Sequence, residues 1–528
     1  MMKRLGAAVL LLFITACGGG ERGGAGGETI VVGLRADLGG FNPVTNSDQY
    51  TGELINYALF TPLVQYDSSL AVKPHLADSW EMQGDSGVVF RLRRDVKWND
   101  GRAVTAEDVK FTFDLAKDSS TASLLGSAFL ANVASAEAVD SFTVHFRFVR
   151  PHAQALEDFW WAPLPKHLLE NVAPSELRNA PFNRQPVGSG PYKVVERRAN
   201  ERIVLERNPD YPEGLGGPPP AQRIVLRVIP EPSTMLTELT TGGVHVDIPV
   251  TPDQTETIEK NQNLKLFAFP GRSLWYIGWN NSREPFTDPN VRRALALGIN
   301  RQEVIDALLF GQGEIATSTV PPWHPLYPEN VRPLPFDPEE AGRLLDAAGW
   351  RDSNGDGIRD KNGRPLRFEM MSSDATLNRS VVEQLQAQYR RIGVQVVPRT
   401  LEFQTMLAQH KARDFDAVFS SWVLDNFQMA SAPMALFHSS IARTPLSTNR
   451  SAVQIPALDR LIDRAATTTD EQQLRGIWSE MTQLLQREQP ITFLYWLNEL
   501  AGTQRTMEGV EMAPPGEFMT IGKWRLNR

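Results

Sequence analysis

The sequence predicts an α/β protein built on a parallel sheet. Residues 365–425 read strand, helix, strand, helix, strand, the order that a parallel sheet with crossover helices requires. Across 528 residues, 41% are hydrophobic and 22% charged, an ordered globular composition with length for three or four domains. No period of about 20–50 residues recurs, which argues against a solenoid or propeller. No apolar run approaches the roughly 20 residues of a membrane-spanning helix. Lys and Arg total 54 against 62 Asp and Glu, a formal charge of −8. Such a chain lacks the net basic face that phosphates demand, so nucleic acid is not an expected partner.

Taken in order, Lys3 and Arg4 precede an apolar stretch from Leu5 to Ile14, and Thr15 and Ala16 follow. This is the charged, apolar and small-residue order of an export signal over residues 1–16. Cys17, the single cysteine, stands at the cleavage point, and Ile14-Thr15-Ala16-Cys17 resembles a bacterial lipobox. The resemblance implies a diacylglyceryl group on the thiol and a lipid anchor in a membrane. With one cysteine no intramolecular disulfide forms. Residues 18–27 contain seven glycines and are expected to form a flexible tether, so 17–27 is anchor plus tether. The folded body then begins near Glu28, outside the cytoplasm.

Thr29–Leu34 is a β-rich run expected as a buried strand. The loop Gly39-Gly40-Phe41-Asn42-Pro43 follows, then a helical segment to about Tyr57. Val88–Arg93 and Phe142–Phe148 alternate as strands. Thr105–Leu115 reads as a helix with Glu107 and Asp108 in its first turn, where the helix dipole favours acids. Gly214–Pro220 is a loop before a strand at Arg223–Ile229. Leu366–Met371 is a strand, and 377–392 a helix with Val381, Val382, Leu385, Tyr389 and Ile392 on one face. Gly393 is placed to end it in a left-handed conformation. Val394–Val397, a helix near 402–412 and a strand at Phe415–Trp422 complete the unit. Ligands of such sheets bind at the carboxyl ends of strands, where Ser421 to Asn426 lie.

Several segments, in colinear order, resemble the extracytoplasmic solute-binding proteins of peptide/nickel-type ABC importers (family 5). They include PHLADSWE (Pro74–Glu81), FRLR (Phe90–Arg93), VKWNDGRAVTAEDVKFTFD (Val96–Asp114), VGSGPY (Val187–Tyr192) and ERNPDY (Glu206–Tyr211). PFTDPNVRRALALGINR (Pro285–Arg301), LLDAAGW (Leu344–Trp350) and GDGIRD (Gly355–Asp360) continue the series. The resemblance implies a type II periplasmic-binding-protein-like fold, with two lobes and an extra subdomain in lobe I (cluster C-like). Transferred to this chain, lobe I spans 28–272 plus 497–528, with the extra subdomain near 50–185, and lobe II spans 273–496. Crossings are expected near Arg272–Tyr276 and Tyr495–Leu497.

The resemblance also implies the site. Peptide binders of this family carry an aspartate three residues beyond a tryptophan that meets the ligand's α-ammonium group, and Asp425 stands so after Trp422. Backbone groups of Ser421 and Val423 are expected to pair with an extended peptide. Phe41, Asn42, Trp275 and Tyr276 are further candidate contacts at strand ends and crossings. The implied function is capture of a small solute, foremost a short peptide, in an interlobe cleft, and its delivery by a monomer to an ABC permease and its ATPase. An oligosaccharide stacked on tryptophans, another non-peptide solute, or a non-transport surface or signalling role are the alternatives.

Asp352, Asn354, Asp356 and Asp360 occupy positions 1, 3, 5 and 9 of a calcium-type loop, but Gly363 stands where a bidentate Glu is wanted. A loop without metal is the expectation, with structural Ca2+ the weaker alternative, and no other cofactor is expected. Trp98 reads as a core aromatic, Gly188 and Gly190 as a tight turn, and Arg292, Arg293 and Arg301 as surface or interdomain charges. No HExxH, HxH or GxSxG occurs, so no enzyme is expected.

Overall fold

The computed structural model describes residues 28–151, 154–424, 429, 431–443 and 447–527. Residues 1–27, where the export signal, Cys17 and the tether are expected, and Asp425 lie outside the described residues. In chain order the elements used below are β1 (Thr29–Leu34), α1 (Gln49–Leu54), β2 (Ala77–Met82), β3 (Gly87–Leu92), α2 (Ala106–Lys117), β4 (Val133–Asp140) and β5 (Thr143–Phe148). Next come β6 (Tyr192–Arg198), β7 (Arg202–Arg207), β8 (Arg223–Val228), β9 (Val246–Ile248) and β10 (Leu264–Trp279). The remainder are β11 (Arg367–Ser373), α3 (Thr376–Arg390), β12 (Gln395–Leu401), α4 (Phe403–Ala412), β13 (Ala417–Val423), α5 (Glu471–Glu488) and β14 (Ile491–Gln504).

One large sheet runs β12–β11–β13–β10–β14–β9–β1–β8–β7–β6, and the short strand Gly313–Ile315 pairs with β14 off this path. β1 is parallel to both β8 and β9. At the other end β11 is parallel to β12 and to the start of β13. The alternation read from 365–425 therefore forms the parallel unit expected, with Gly393 at φ 77° stopping the helix. The sheet as a whole is mixed, because β10 and β14 run antiparallel through its middle. These two strands are 16 and 14 residues long and contain residues 272–276 and 495–497.

The expected crossing points fall inside them. Their register shifts between Phe269 and Ser273 and again between Trp275 and Tyr276, so both strands bend there. Gly271 sits in the first bulge, and a Cβ on it would lie 2.2 Å from the Leu497 carbonyl oxygen. Along β10 the faces alternate as a pleated strand demands. Leu274 and Tyr276 enter one core with Trp478 and Phe493, whereas Ile277 and Trp279 enter another with Tyr389 and Phe419.

A second, four-stranded antiparallel sheet, β2–β3–β5–β4, belongs to the N-terminal half. It packs Phe90 and Phe146 against α2 and Phe159. Thr105 caps α2 reciprocally with Asp108. Trp98 is buried, and its indole N–H donates to Asp108. Gly188 and Gly190 pass so close to the Leu59 and Ala58 carbonyls that no Cβ fits.

Arg292 and Arg301 correct a reading of the sequence, because both are buried. Arg292 donates to the Glu488, Gln489 and Phe286 carbonyls at 2.6–3.0 Å, covering the exposed end of α5. Arg301 donates to the Phe493 carbonyl at 2.7 Å. A guanidinium satisfies several carbonyls at once, which a lone helix charge pattern does not reveal.

Candidate functional site

A cavity opens where α1, the segments around Leu124–Phe129 and Trp160–Trp161, and the bend of β10 and β13 meet. Asp48 caps α1 by accepting from the Thr51 N–H at 2.7 Å, which fixes the helix with Gln49, Gly52 and Glu53 along the cavity. Arg272 and Val423 face it from the large sheet.

β13 presents an open edge here. It pairs with β11 only at Ala417 and Val418, while on its other side it follows β10 as far as Val423. The Leu424 N–H donates to the Arg272 carbonyl at 3.0 Å, making that pair a hydrogen-bonded one. Hydrogen-bonded and non-hydrogen-bonded pairs alternate along an antiparallel ladder, so Val423 with Ser273 and Ser421 with Trp275 are of the second kind. The N–H and C=O groups of Ser421 and Val423 thus point away from β10, toward the edge where another strand can add.

Behind the cavity lies a charged cluster. Arg272 meets Glu53 at 2.7 Å, with side-chain exposures of 5% and 1%. The second Glu53 oxygen accepts the Glu517 N–H at 2.9 Å. Glu517 is wholly buried, and as a carboxylate neither of its oxygens finds a donor. Burial pushes its carboxyl well above the ordinary range, and the charges of Glu53 and Glu499 add to this. Protonated, it donates to Glu53, which lies within reach. Burial also raises Glu499, on β14, against the pull of Arg272. One guanidinium therefore serves three carboxyl groups, and burial disfavours the charged form of Glu517 and Glu499. The cluster joins α1, β10, β14 and the C-terminal segment at the bend.

Ser421, Trp422 and Val423 are half-buried, and Val423 lines the cavity. Asp425 lies outside the described residues. Trp275 is half-buried and stacks between Phe419 at 5.0 Å and Tyr495 at 6.2 Å. Tyr276 is 3% exposed, in the core with Trp478. Phe41 is buried beneath the Arg197 guanidinium, and Asn42 is buried in a hydrogen bond to Asn183. The structure thus gathers Val423 with α1 and the two tryptophans, and sets Phe41, Asn42 and Tyr276 into packing roles beside it. Sequence reading passed over Glu53 and Leu124, and named Arg272 only at an expected crossing. Only the Trp160–Trp161 pair carried a local signal.

In the 352–360 loop every candidate donor is turned inward. Asp352 accepts the Gly355 and Gly357 N–H groups, Asp356 that of Ile358, and Asp360 the Ser353 N–H and hydroxyl. Among the described residues no three His, Cys, Asp or Glu side chains are grouped to hold a metal ion.

A bent strand pair joining two halves, with a cleft at strand ends, defines a binding protein of the type II periplasmic class, two-lobed with an extra subdomain. Residues 71–443 match the family described as bacterial extracellular solute-binding proteins, family 5 Middle, and the chain belongs to that family. It is the non-enzymatic capture component of an ABC transporter. Oligopeptide-binding protein AppA of Bacillus subtilis is 30% identical over 540 residues, covering 98% of this chain and 97% of AppA. The AppA structure in complex with a nonapeptide matches with a TM-score of 0.79, over 95% of this chain and 99% of that one. CtaP of Listeria monocytogenes, at 23% identity, reaches 0.83 over 95% and 100%. NikA of Brucella suis, in complex with Fe(III)-EDTA, also reaches 0.83 at 23% identity, over 94% and 99%. The last two likenesses concern the fold alone. Membership of this extracellular family places the protein outside the cytoplasm, and no described helix is long and apolar enough to cross a membrane.

Proposed function

We propose that this protein captures a short peptide between its lobes and hands it to an ABC permease. The observation that carries this reading is the open edge of β13 at the cavity, where Ser421 and Val423 offer outward peptide groups. An extended peptide pairs with such an edge through its main chain, independent of its side chains. The kinship with AppA supports the same ligand class. In this reading Asp425 meets the ligand's α-ammonium, Trp422 flanks the strand, and Trp275 and Tyr276 hold its register from behind. Phe41 and Asn42 brace the loop that leads to α1. The lobes are 28–272 plus 497–528 and 273–496. Cys17 carries the lipid, residues 18–27 tether the monomer to the membrane, and the 352–360 loop works without Ca2+.

Mass spectrometry of ligand released by denaturing the purified protein tests the class: peptides support it, and recovered sugars overturn it. Asp425→Asn is expected to weaken peptide binding by about 2–5 kcal/mol, the cost typical of losing a buried charge partner. Unchanged affinity removes Asp425 from the site. Cys17→Ser is expected to move the protein from the membrane to the soluble fraction.

A further inference from the structure

The two sides of the cavity differ in chemistry. The extra subdomain contributes an apolar wall of Leu124, Leu125, Phe129, Trp160 and Trp161. Leu124 is 37% exposed, among the few large apolar side chains left open. Trp160 is held from behind by Tyr66 at 5.3 Å and Tyr57 at 5.9 Å, and Trp161 by Phe146 at 6.3 Å. The wall is therefore built before any ligand arrives, which lowers the ordering cost of binding. Val423, at the open edge of β13, lines the same cavity.

The charged lining is one-sided. Asp48 and Glu53 are the acids that line the cavity. Arg272 is the single cation among the described lining residues, and it is engaged by Glu53 at 2.7 Å. A carboxylate entering here loses water, meets Asp48 and finds no unengaged cation among the described lining residues. An apolar side chain meets surface already shaped for it.

We infer that this wall is a side-chain pocket of the peptide site, selecting an apolar residue such as Leu or Phe at the ligand position that lies over Val423 and rejecting Asp or Glu there. A strand-like ligand sends alternate side chains to opposite faces. One position, or two separated by a single residue, therefore carries the preference and the others do not. The inference rests on the peptide reading above and adds Leu124 and Trp160 as specificity-determining residues.

Calorimetric titration of the full-length protein in detergent tests it. The probes are Ala/Ser-based tripeptides and nonapeptides with Leu, Phe, Gly or Asp at the first, second or third position. At one position Leu and Phe are expected to bind about 10-fold or more tighter than Gly, as burial of a large apolar side chain dictates. Asp is expected to bind more weakly than Gly there. Leu124→Ser and Trp160→Ser are expected to shrink the Leu-to-Gly ratio at that position alone. Leu124 is exposed enough that its substitution keeps the test alive if the tryptophan variant fails to fold. A flat profile at every position with peptide binding intact overturns the pocket and leaves the peptide reading standing. Ratios unchanged in Leu124→Ser do the same. Failure of every probe to bind overturns the peptide reading, and the pocket falls with it.

Discussion

The loop at 352–360 and the cluster around Arg272 are both rich in carboxylates, yet they keep them in opposite ways. In the loop, Asp352 and Asp356 are exposed and Asp360 is half-buried, and all three accept N–H groups a few residues away. In the cluster, Glu53 and Glu517 are buried, their partners lie hundreds of residues distant, and one guanidinium faces three acids. A carboxylate in water with backbone donors at hand is a turn-forming device. The same group in the interior without donors keeps its proton. Density of acidic residues in sequence therefore says little about where charge matters. Burial and the supply of donors decide it.

The sharpest way to break this contrast is to remove the cation. Arg272→Met leaves buried acid without its ion partner and is expected to cost about 3–5 kcal/mol in chemical denaturation at neutral pH. The loss should shrink at low pH, where the acids are neutral. A loss that does not depend on pH would mean that the cluster carries no net charge stress.

Next in size is the proton itself. The Glu517 and Glu499 carboxyls are raised in the folded protein, so the folded state binds more protons than the unfolded one. Their contribution is present below the ordinary carboxyl range and is lost as pH rises toward their folded values. Asp247, pushed by burial from 3.8 to about 7, adds to the same decline. Glu517→Gln mimics the protonated acid, keeps a donor for Glu53, and is expected to flatten that decline between pH 5 and pH 8. Denaturation midpoints of the variant and the parent that stay parallel across this range would remove Glu517 as the proton carrier.

The smallest effects belong to the loop. Asp352→Ala is expected to cost under about 1 kcal/mol, the scale of exchangeable hydrogen bonds. Adding Ca2+ or a chelator should leave the melting temperature unchanged. A rise of several degrees with Ca2+ would turn the loop into a metal site and erase the contrast.

The same physics explains what the sequence revealed. The helix 376–390 and its flanking strands were readable because periodicity, Gly393 and the alternation of Met370 and Phe368 are local signals. Ser421 to Asn426 stood out as a strand end of a parallel sheet, and the family resemblance added the expectation that Ser421 and Val423 pair with a peptide. Glu53, Arg272, Glu499 and Glu517 carry no local mark, since their meeting depends on how β10 and β14 bend. Arg292 was misjudged for a related reason: a charged residue on an amphipathic helix looks solvated until the carbonyls it covers are in place. The four-stranded sheet was half-read, because β3 and β5 alternate cleanly while β2 and β4 leave most of one face to water.

Gly271 has a mechanical consequence. Its missing side chain lets β10 and β14 approach, backbone to backbone, at their bend. The two strands are paired on both sides of this bend, from Leu264 to Phe269 and from Ser273 to Gly278, so a side chain at position 271 would push them apart where their register shifts. A methyl group at that point would act as a wedge.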